Sequence, residues 1–458
     1  MAKPIVCRPL FQSFVSILMK NLWLKTSLAL AVSAISTHSL GNGIAINEQS
    51  VSGMGTSFAG RASAAQDATI LFGNPAGISK LERPQVVGGF ATIKADIDID
   101  DSSAETADGD MVPLSTVPFA YYTSPIDEQW SWGVGMYVPY ALISDYEKSF
   151  GGRYKGLYSK VEVITLQPTL SYKINDRVSV GFGPTINKIK GKLTSNLNDG
   201  ALAALGGSGD AKVNIKGDDT AVGFNVGVLV DVTKDLTWGL TYHSKVDYTL
   251  EGRTKVSSFD GPVLGALNGE YDASLDFTTP ETVDTSITYK LDDKWTLYGG
   301  ATWTRWSRLD AIVVDNENSP NLTIPGIGTL PAPLGTVSEE LKWHDTWSYA
   351  IGASYQLNPQ WVLRTGLAFD PSPAENAHRT VRIPVGNRKV FSLGAGWSPS
   401  DDLTIDVAYS YLHESKASVD QDDRTLSAGP ISANIAPGYS AEYRNSAHGL
   451  GLQATYRF

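Results

Sequence analysis

The chain is almost without cysteine. Its 458 residues hold one, Cys7, so it can build neither a disulfide framework nor a cysteine-ligated metal centre. Positive charge is also short, with 37 Lys and Arg against 48 Asp and Glu for a net charge of −11. A nucleic-acid partner needs a basic stripe to neutralise phosphates, and none is present. Apolar residues make up 42% of the chain, yet nowhere run to the length of a membrane-spanning helix, which is about 20 residues. The six His are scattered, and no His-x-x-x-His pair, G-x-S-x-G elbow or phosphate loop occurs. His344 and Asp345 are neighbours, but on a strand they would point to opposite faces. The acidic run Asp98-Ile99-Asp100-Asp101 reads as a solvated loop rather than a metal site. The chain is therefore not read as an enzyme, and no cofactor or metal is expected.

What is abundant is glycine and large aromatics: 44 Gly, 20 Tyr and 11 Trp. That combination suits twisted strands with aromatic belts at a membrane interface. Residues 1–41 read as an export signal with its true start at Met19. Lys20 and Lys25 supply positive charge, Leu28 to Ile35 the short apolar stretch, and Ser39-Leu40-Gly41 the small residues for cleavage. A membrane anchor would need a longer apolar run.

Six short polar turns organise the rest. They are Ser124–Glu128, Asn175–Arg177, Thr233–Asp235, Asp292–Lys294, Asn358–Gln360 and Ser398–Asp402, rich in the residues that close tight turns. An apolar or aromatic residue follows each: Trp130, Val178, Leu236, Trp295, Trp361 and Leu403. The flanking segments alternate. Leu403, Ile405, Val407, Tyr409 and Tyr411 share one face, and Thr404, Asp406, Ala408 and Ser410 the other. Strands of about nine or ten residues would span a bilayer at a tilt, with the apolar face toward lipid and the small or polar face toward a lumen. On that reading Asp406→Asn is mild. The opposite connections are long and polar: Asp96–Val112, Pro139–Lys160, Gly191–Asp219, Asp247–Ala273, Val314–Glu340, Asp370–Arg388 and Glu414–Glu442. A soluble β-sandwich would not show this asymmetry. Six turns and seven loops, with both termini on the turn side, give fourteen antiparallel strands, an even number that closes without an edge. The last strand alternates to a terminal Phe458, in the manner of the signal read by the barrel-assembly machinery. The expectation is an all-β transmembrane barrel over 84–458 in the bacterial outer membrane, among its lipid and lipopolysaccharide, as a monomer.

Residues 42–83 do not alternate and are rich in Gly, Ala and Ser. A barrel of fourteen strands is too wide to fill with wall side chains alone, so this segment is read as a plug. Here the residues resemble a known family. Gly43 to Ser50, Gly53-Met54-Gly55, Asp67-Ala68 and Asn74-Pro75-Ala76 are similar to the start of the FadL/TodX proteins. The resemblance continues at Thr302 to Ser307 and from Trp361 through Leu412, covering nearly the whole chain after the signal. It implies passive uptake of a long-chain fatty acid or an aromatic hydrocarbon, with an N-terminal hatch in the lumen. Ligand would dock in a groove between outer loops, enter the barrel and leave sideways where an inward strand kink meets Asn74, Pro75 and Ala76. A water-filled porin or an adhesin is the remaining alternative.

Groove candidates are the apolar loop residues Leu142, Ile143, Phe150, Leu157, Leu197, Leu202 and Leu205, since exposed apolar loops pack together or bind something. In fatty-acid carriers of this family a basic pair holds the carboxylate. The matching positions here are Ser195 and Glu339, neither basic, which leaves Lys190, Lys192 and Lys342 as the nearby candidates and a neutral cargo as the other possibility.

Overall fold

The computed structural model describes residues 43–101, 111–428 and 431–458. The expected export signal, with Met19 and Cys7, lies outside them, as does part of the first long loop. All described residues fall in one compact unit. Fourteen wall strands follow one another in chain order: β1 (Gln85–Asp101), β2 (Ser115–Pro125), β3 (Trp130–Asp145), β4 (Tyr158–Asn175), β5 (Val178–Asn198), β6 (Asp210–Asp231), β7 (Leu236–His243, then Val246–Ser257), β8 (Gly269–Thr279, then Thr282–Lys290), β9 (Trp295–Thr304, then Ala311–Glu317), β10 (Thr336–Glu340, then Thr346–Asn358), β11 (Trp361–Asp370), β12 (Arg388–Trp397), β13 (Leu403–Glu414, then Ala417–Gln421) and β14 (Tyr439–Arg457). Each pairs antiparallel with the next, and β14 returns to β1 from Arg457↔Gln85 to Ala441↔Asp101. The sheet closes, as the turn count requires.

Five of the six turns are capped by their own side chains. Asn175 Oδ1 accepts from the N–H groups of Arg177 and Val178, and Asp292 Oδ1 does the same for Lys294 and Trp295. Beside these turns lies an aromatic belt, with Trp130 against Tyr172, Trp295 against Tyr355 and Trp361 against Trp397. Above it the outward faces carry exposed apolar side chains such as Phe182, Ile186, Ile351, Val407 and Leu452, the lipid surface of a barrel.

β11 and β12 hold ten residues each, but most strands are longer than nine or ten. β5 and β6 run for 21 and 22 residues and stay paired out to Asn198↔Asp210. Hairpin pairing satisfies backbone groups in water as well as in lipid, so nothing ends a strand at the bilayer edge. Much of what reads as long loop is therefore wall. Genuine loops pack into two caps over the outer end. One gathers Ile143, Tyr146, Phe150, Val381, Tyr439 and Tyr443, and the other Leu197, Leu202, Leu264, Leu267 and Leu334 with Ile324 from the small hairpin Leu322–Ile324/Gly328–Leu330.

Residues 43–84 precede β1 and lie inside the barrel as short turns, including Val51–Met54, Ile70–Gly73 and Pro75–Lys80. Their backbone meets wall glycines directly. A methyl group on Gly239 would overlap the Ala62 carbonyl, and one on Gly366 the backbone of Thr56. Polar contacts complete the seating. Val51 N–H donates to Gln453, whose amide donates to Asp67, while Ala62 N–H donates to Ser286.

Candidate functional site

The wall has a seam between β2 and β3. β2 pairs with β3 only between Ala120↔Met136 and Pro125↔Ser131, although β2 stays paired with β1 as far as Ser115. Above Met136, β3 carries a bulge: its pairing with β4 jumps from Tyr137↔Thr165 to Tyr140↔Val163. The extra residue, with Pro139 inside it, re-aims the strand. The backbone groups freed by this departure are taken by the inner segment. Ile46 N–H donates to the Pro139 carbonyl at 2.9 Å and Ala141 N–H to the Ile44 carbonyl at 3.0 Å. Gln49 clamps Val138 from both sides, donating to its carbonyl at 2.5 Å and accepting its N–H at 3.2 Å. Ile46 packs with Val117 of β2 and Val138 and Ala141 of β3, so its side chain fills the seam.

Asn74, Pro75 and Ala76 sit elsewhere. Asn74 Nδ2 donates to the carbonyls of Ala62 and Val228, and its Oδ1 accepts from Ala76 N–H. Ser171 donates to the Ala76 carbonyl, and Gly181 and Gly227 leave room for Pro75 and Asn74. The hydrogen bonds of this element to the wall go to β4 and β6, while the kink is held by Ile44, Ile46 and Gln49. The helix that starts at Pro75 also lies against β3 and β2, so the element seats the inner segment beside the seam while other residues take the kink's hydrogen bonds.

A chain of cavities leads from the outer surface toward the seam. The outermost, about 240 Å³, opens among Lys155, Ser195, Glu339, Arg379, Arg382 and Arg424. It shares Ser195, Glu339, Arg382 and Arg424 with an inner groove walled by Leu193, Leu197, Val213, Ile215, Val256 and Leu334. Leu193, Ile215, Ile312 and Val314 continue into a further cavity with Val161, Ile189, Leu275 and Phe277. That apolar lane joins Val163, Val246 and Tyr248. These line the lumen cavity of about 160 Å³ that reaches Pro139, Tyr140, Ala45 and Ile46.

The mouth of the groove is charged. Arg382 Nε donates to Glu339 at 3.1 Å and its Nη1 to Ser159 at 2.9 Å. Arg424 lines the same groove. Burial lowers its pKa, opposed by the Glu339 charge. Arg153 and Tyr154 brace the rim through Asp210, at 2.7 Å and 2.5 Å. Burial works to raise the Asp210 pKa, but those hydrogen bonds hold it below the ordinary carboxylate value.

Two sets of expected ligand residues fall differently. Lys190 and Lys192 stand on the outer wall, on the same face of β5 as Phe182 and Ile186, with Lys192 over the Tyr158 ring. Lys342 is half exposed and paired with Glu340 at 2.6 Å. None of the three lines a groove cavity, because alternation puts the odd-numbered residues of β5 inside. Of the apolar candidates, Leu197 lines the groove. Leu202 and Leu205 pack in the cap above it. Ile143 of β3 packs with Phe150 and Leu157 of the loop that follows it, Phe150 stacked on Tyr146 at 3.9 Å. Leu142 joins Ile44, Trp306 and Trp343. Asp406 is also corrected. It is buried beneath the inner segment in an ion pair with Arg364 at 2.7 Å, so it is not a freely solvated lumen residue.

Residues 32–458 match the family described as outer membrane protein transport protein (OMPP1/FadL/TodX). The chain belongs to this family. It is 27% identical to a long-chain fatty acid transport protein of Escherichia coli O6:H1, over 96% of this chain and 99% of that one. It resembles the crystal structure of a Pseudomonas aeruginosa FadL homologue, with a TM-score of 0.78 and 25% identity over 91% of this chain and all of that chain. The toluene transporter TodX of Pseudomonas putida shares the fold, with a TM-score of 0.63 at 16% identity over 87% of this chain and 95% of that chain. Membership places the protein in the bacterial outer membrane, where a closed barrel of fourteen strands belongs.

Proposed function

We propose that this protein takes up hydrophobic carboxylates passively, long-chain fatty acids foremost, and releases them sideways into the membrane. The observation that carries the reading is an apolar lane whose outer end is set with Arg382, Arg424 and a single Glu339. Within this groove one guanidinium is balanced by Glu339, which leaves one positive charge to meet one carboxylate. The alkyl tail lies along Leu193, Leu197, Ile215 and Val314, where each buried methylene contributes about 0.8 kcal/mol. Cargo then moves down the lane to the lumen cavity. The exit is the seam between β2 and β3, opened by a shift of Ile44 to Gln49, with Asn74, Pro75 and Ala76 keeping the rest of the hatch seated. No ATP or ion gradient is required. The long-chain fatty acid transport relative supports the cargo class, and Phe458 serves as the assembly signal of a monomeric barrel.

Uptake and equilibrium binding of oleate, oleyl alcohol and toluene test this reading. Replacing Arg382 and Arg424 together by Gln should weaken oleate binding at least about tenfold, as for a lost charged hydrogen bond, and leave oleyl alcohol unchanged. Toluene uptake without oleate binding by the wild type would replace the carboxylate reading with a neutral one, which the uncharged lower lane also admits.

A further inference from the structure

The outer wall carries a charge arrangement that ligand uptake does not use. On the outward face of β4 to β7, Lys160 lies opposite Lys192, Lys192 opposite Lys216, and Lys216 opposite Arg253. Four cations thus form one row across four neighbouring strands, in a chain whose net charge is −11. Directly opposed strand residues sit about 5 Å apart, and like charges in such pairs are destabilising. Lys188, Lys190, Lys212 and Lys255 stand on the same face above and below the row.

The carboxylates on this face do not cancel the row. Glu162 pairs with Lys160, Asp218 with Lys188, and Glu270 with both Arg253 and Lys255. Glu251, Asp272 and Asp276 complete the acidic set, which leaves the face two charges positive. Lys192 and Lys216 are in no ion pair among the described residues, whereas Lys190 stands between Glu162 and Asp218. The face lies immediately outward of the lipid surface. On the same side of β5 and β6, Ile186 and Val222 are bare, Val222 at 75% exposure, and Lys188 follows Ile186 by two residues. At about 3.3 Å per residue, the cationic zone starts at the headgroup level of the outer leaflet and rises through it.

We propose that this face of β4–β7 binds the phosphate groups of an acylated, multiply phosphorylated glycolipid of the outer leaflet. The acyl chains lie on Phe182, Ile186, Val222 and Phe224, and the phosphates bridge cations that otherwise repel. A single phosphate spans two neighbouring strands, so the lipid fastens the outer hairpins to one another. The outer wall of β1 and β14 makes the contrast. There Asp98 and Asp100 flank Arg444, and Glu442 pairs with Lys416, so its charges are met within the protein. The proposal rests on the wall alone and stands whatever the cargo is.

The test uses the full mature barrel with Lys192→Ser, Lys216→Ser and Arg253→Ser combined, and a control with Asp98→Ser, Arg444→Ser and Lys416→Ser. Both are purified in mild detergent and checked for folding by heat-modifiable migration. Glycolipid carried through purification is counted by native mass spectrometry. Rebinding is measured with lipid A, with dephosphorylated lipid A and with inorganic phosphate as competitor. The first variant should bind at least about tenfold less lipid A, on the scale expected for three surface cations facing phosphate. The control should bind as wild type, and dephosphorylated lipid A should bind weakly to all. Equal lipid A binding by the first variant and wild type overturns the proposal. So does equal binding of the dephosphorylated lipid, or a wild-type dimer that only the first variant breaks, which would assign the face to a second copy. Should the triple variant fail to fold, Lys192→Ser with Lys216→Ser leaves Arg253 and Glu270 paired and carries the same prediction.

Discussion

The two halves of the lumen are built on different terms. Near the turn side the inner segment touches the wall through backbone and hydrogen bonds: Ala62 on Gly239, Thr56 on Gly366, Gln453 between Val51 and Asp67. Toward the outer end the wall turns to Leu193, Ile215, Ile312 and Val314, and space remains between them. The first half has contacts that only one conformation satisfies. The second has apolar walls that many alkyl or aryl groups satisfy about equally. A carrier of this kind must hold its plug and accept its cargo, and it does so with separate chemistries at separate depths.

The largest expected effect lies in the plugged half. Asp406→Ala leaves Arg364 buried and unpaired, 7% exposed at its side chain. Breaking a buried pair in this way costs about 3–5 kcal/mol, read as a lower midpoint in urea unfolding from vesicles. A loss near zero would mean that the pair is solvated and that this half is not held by polar contacts. Gly239→Val comes next. Overpacking costs about 1–3 kcal/mol and should fall on the inner segment, so protease cleavage within residues 43–84 should rise while the barrel stays heat-modifiable. Unchanged cleavage would show that the segment is seated by something other than close backbone approach.

In the outer half the balance reverses. Leu193→Ala removes one wall of the lane, already beside open space. Oleate affinity should fall about fivefold, the equivalent of roughly 1 kcal/mol of contact, while the unfolding midpoint barely moves. A stability loss larger than the affinity loss would make the outer half an ordinary core. The smallest effect is at the rim. Because the Asp210 pKa is depressed in the folded protein, its contribution is full above the unfolded carboxylate pKa of about 3.9. It disappears as pH falls through the lower folded value. Amide exchange at residues 153–158 should quicken in acid below that range, and Asp210→Asn should remove the pH dependence while keeping the segment loose throughout.

Much of this was readable from the sequence, for a physical reason. Turn side chains and period-two alternation are local, and lipid on one side enforces them, so strand number, closure and facing emerged from residues such as Asn175, Asp292 and Val407. The same alternation, carried past the bilayer, would have put Lys190 and Lys192 with Ile186 on the outer wall and Leu193 inside. It was not carried, because polar composition there looks like loop. The rest was not local at all. Arg382 and Arg424 reach the groove from loops after β11 and β13. Gln49 meets Val138 across 89 residues. No spacing rule links such pairs; only closure of the barrel brings them together.

The seam gives the inner segment a second identity, that of the wall's missing strand. Ile44, Ile46 and Gln49 lend the amides and carbonyls that β2 does not offer to β3. Backbone groups left bare at membrane depth cost several kcal/mol each. Expelling the whole segment would therefore strand Val138, Pro139 and Ala141 without partners. On the proposed exit route the segment therefore acts as a door on a hinge rather than a cork. It also sets an order of construction: Ile44 to Gln49, made before every wall strand, must be among the last to settle, because the wall is complete only when they have taken their place in it.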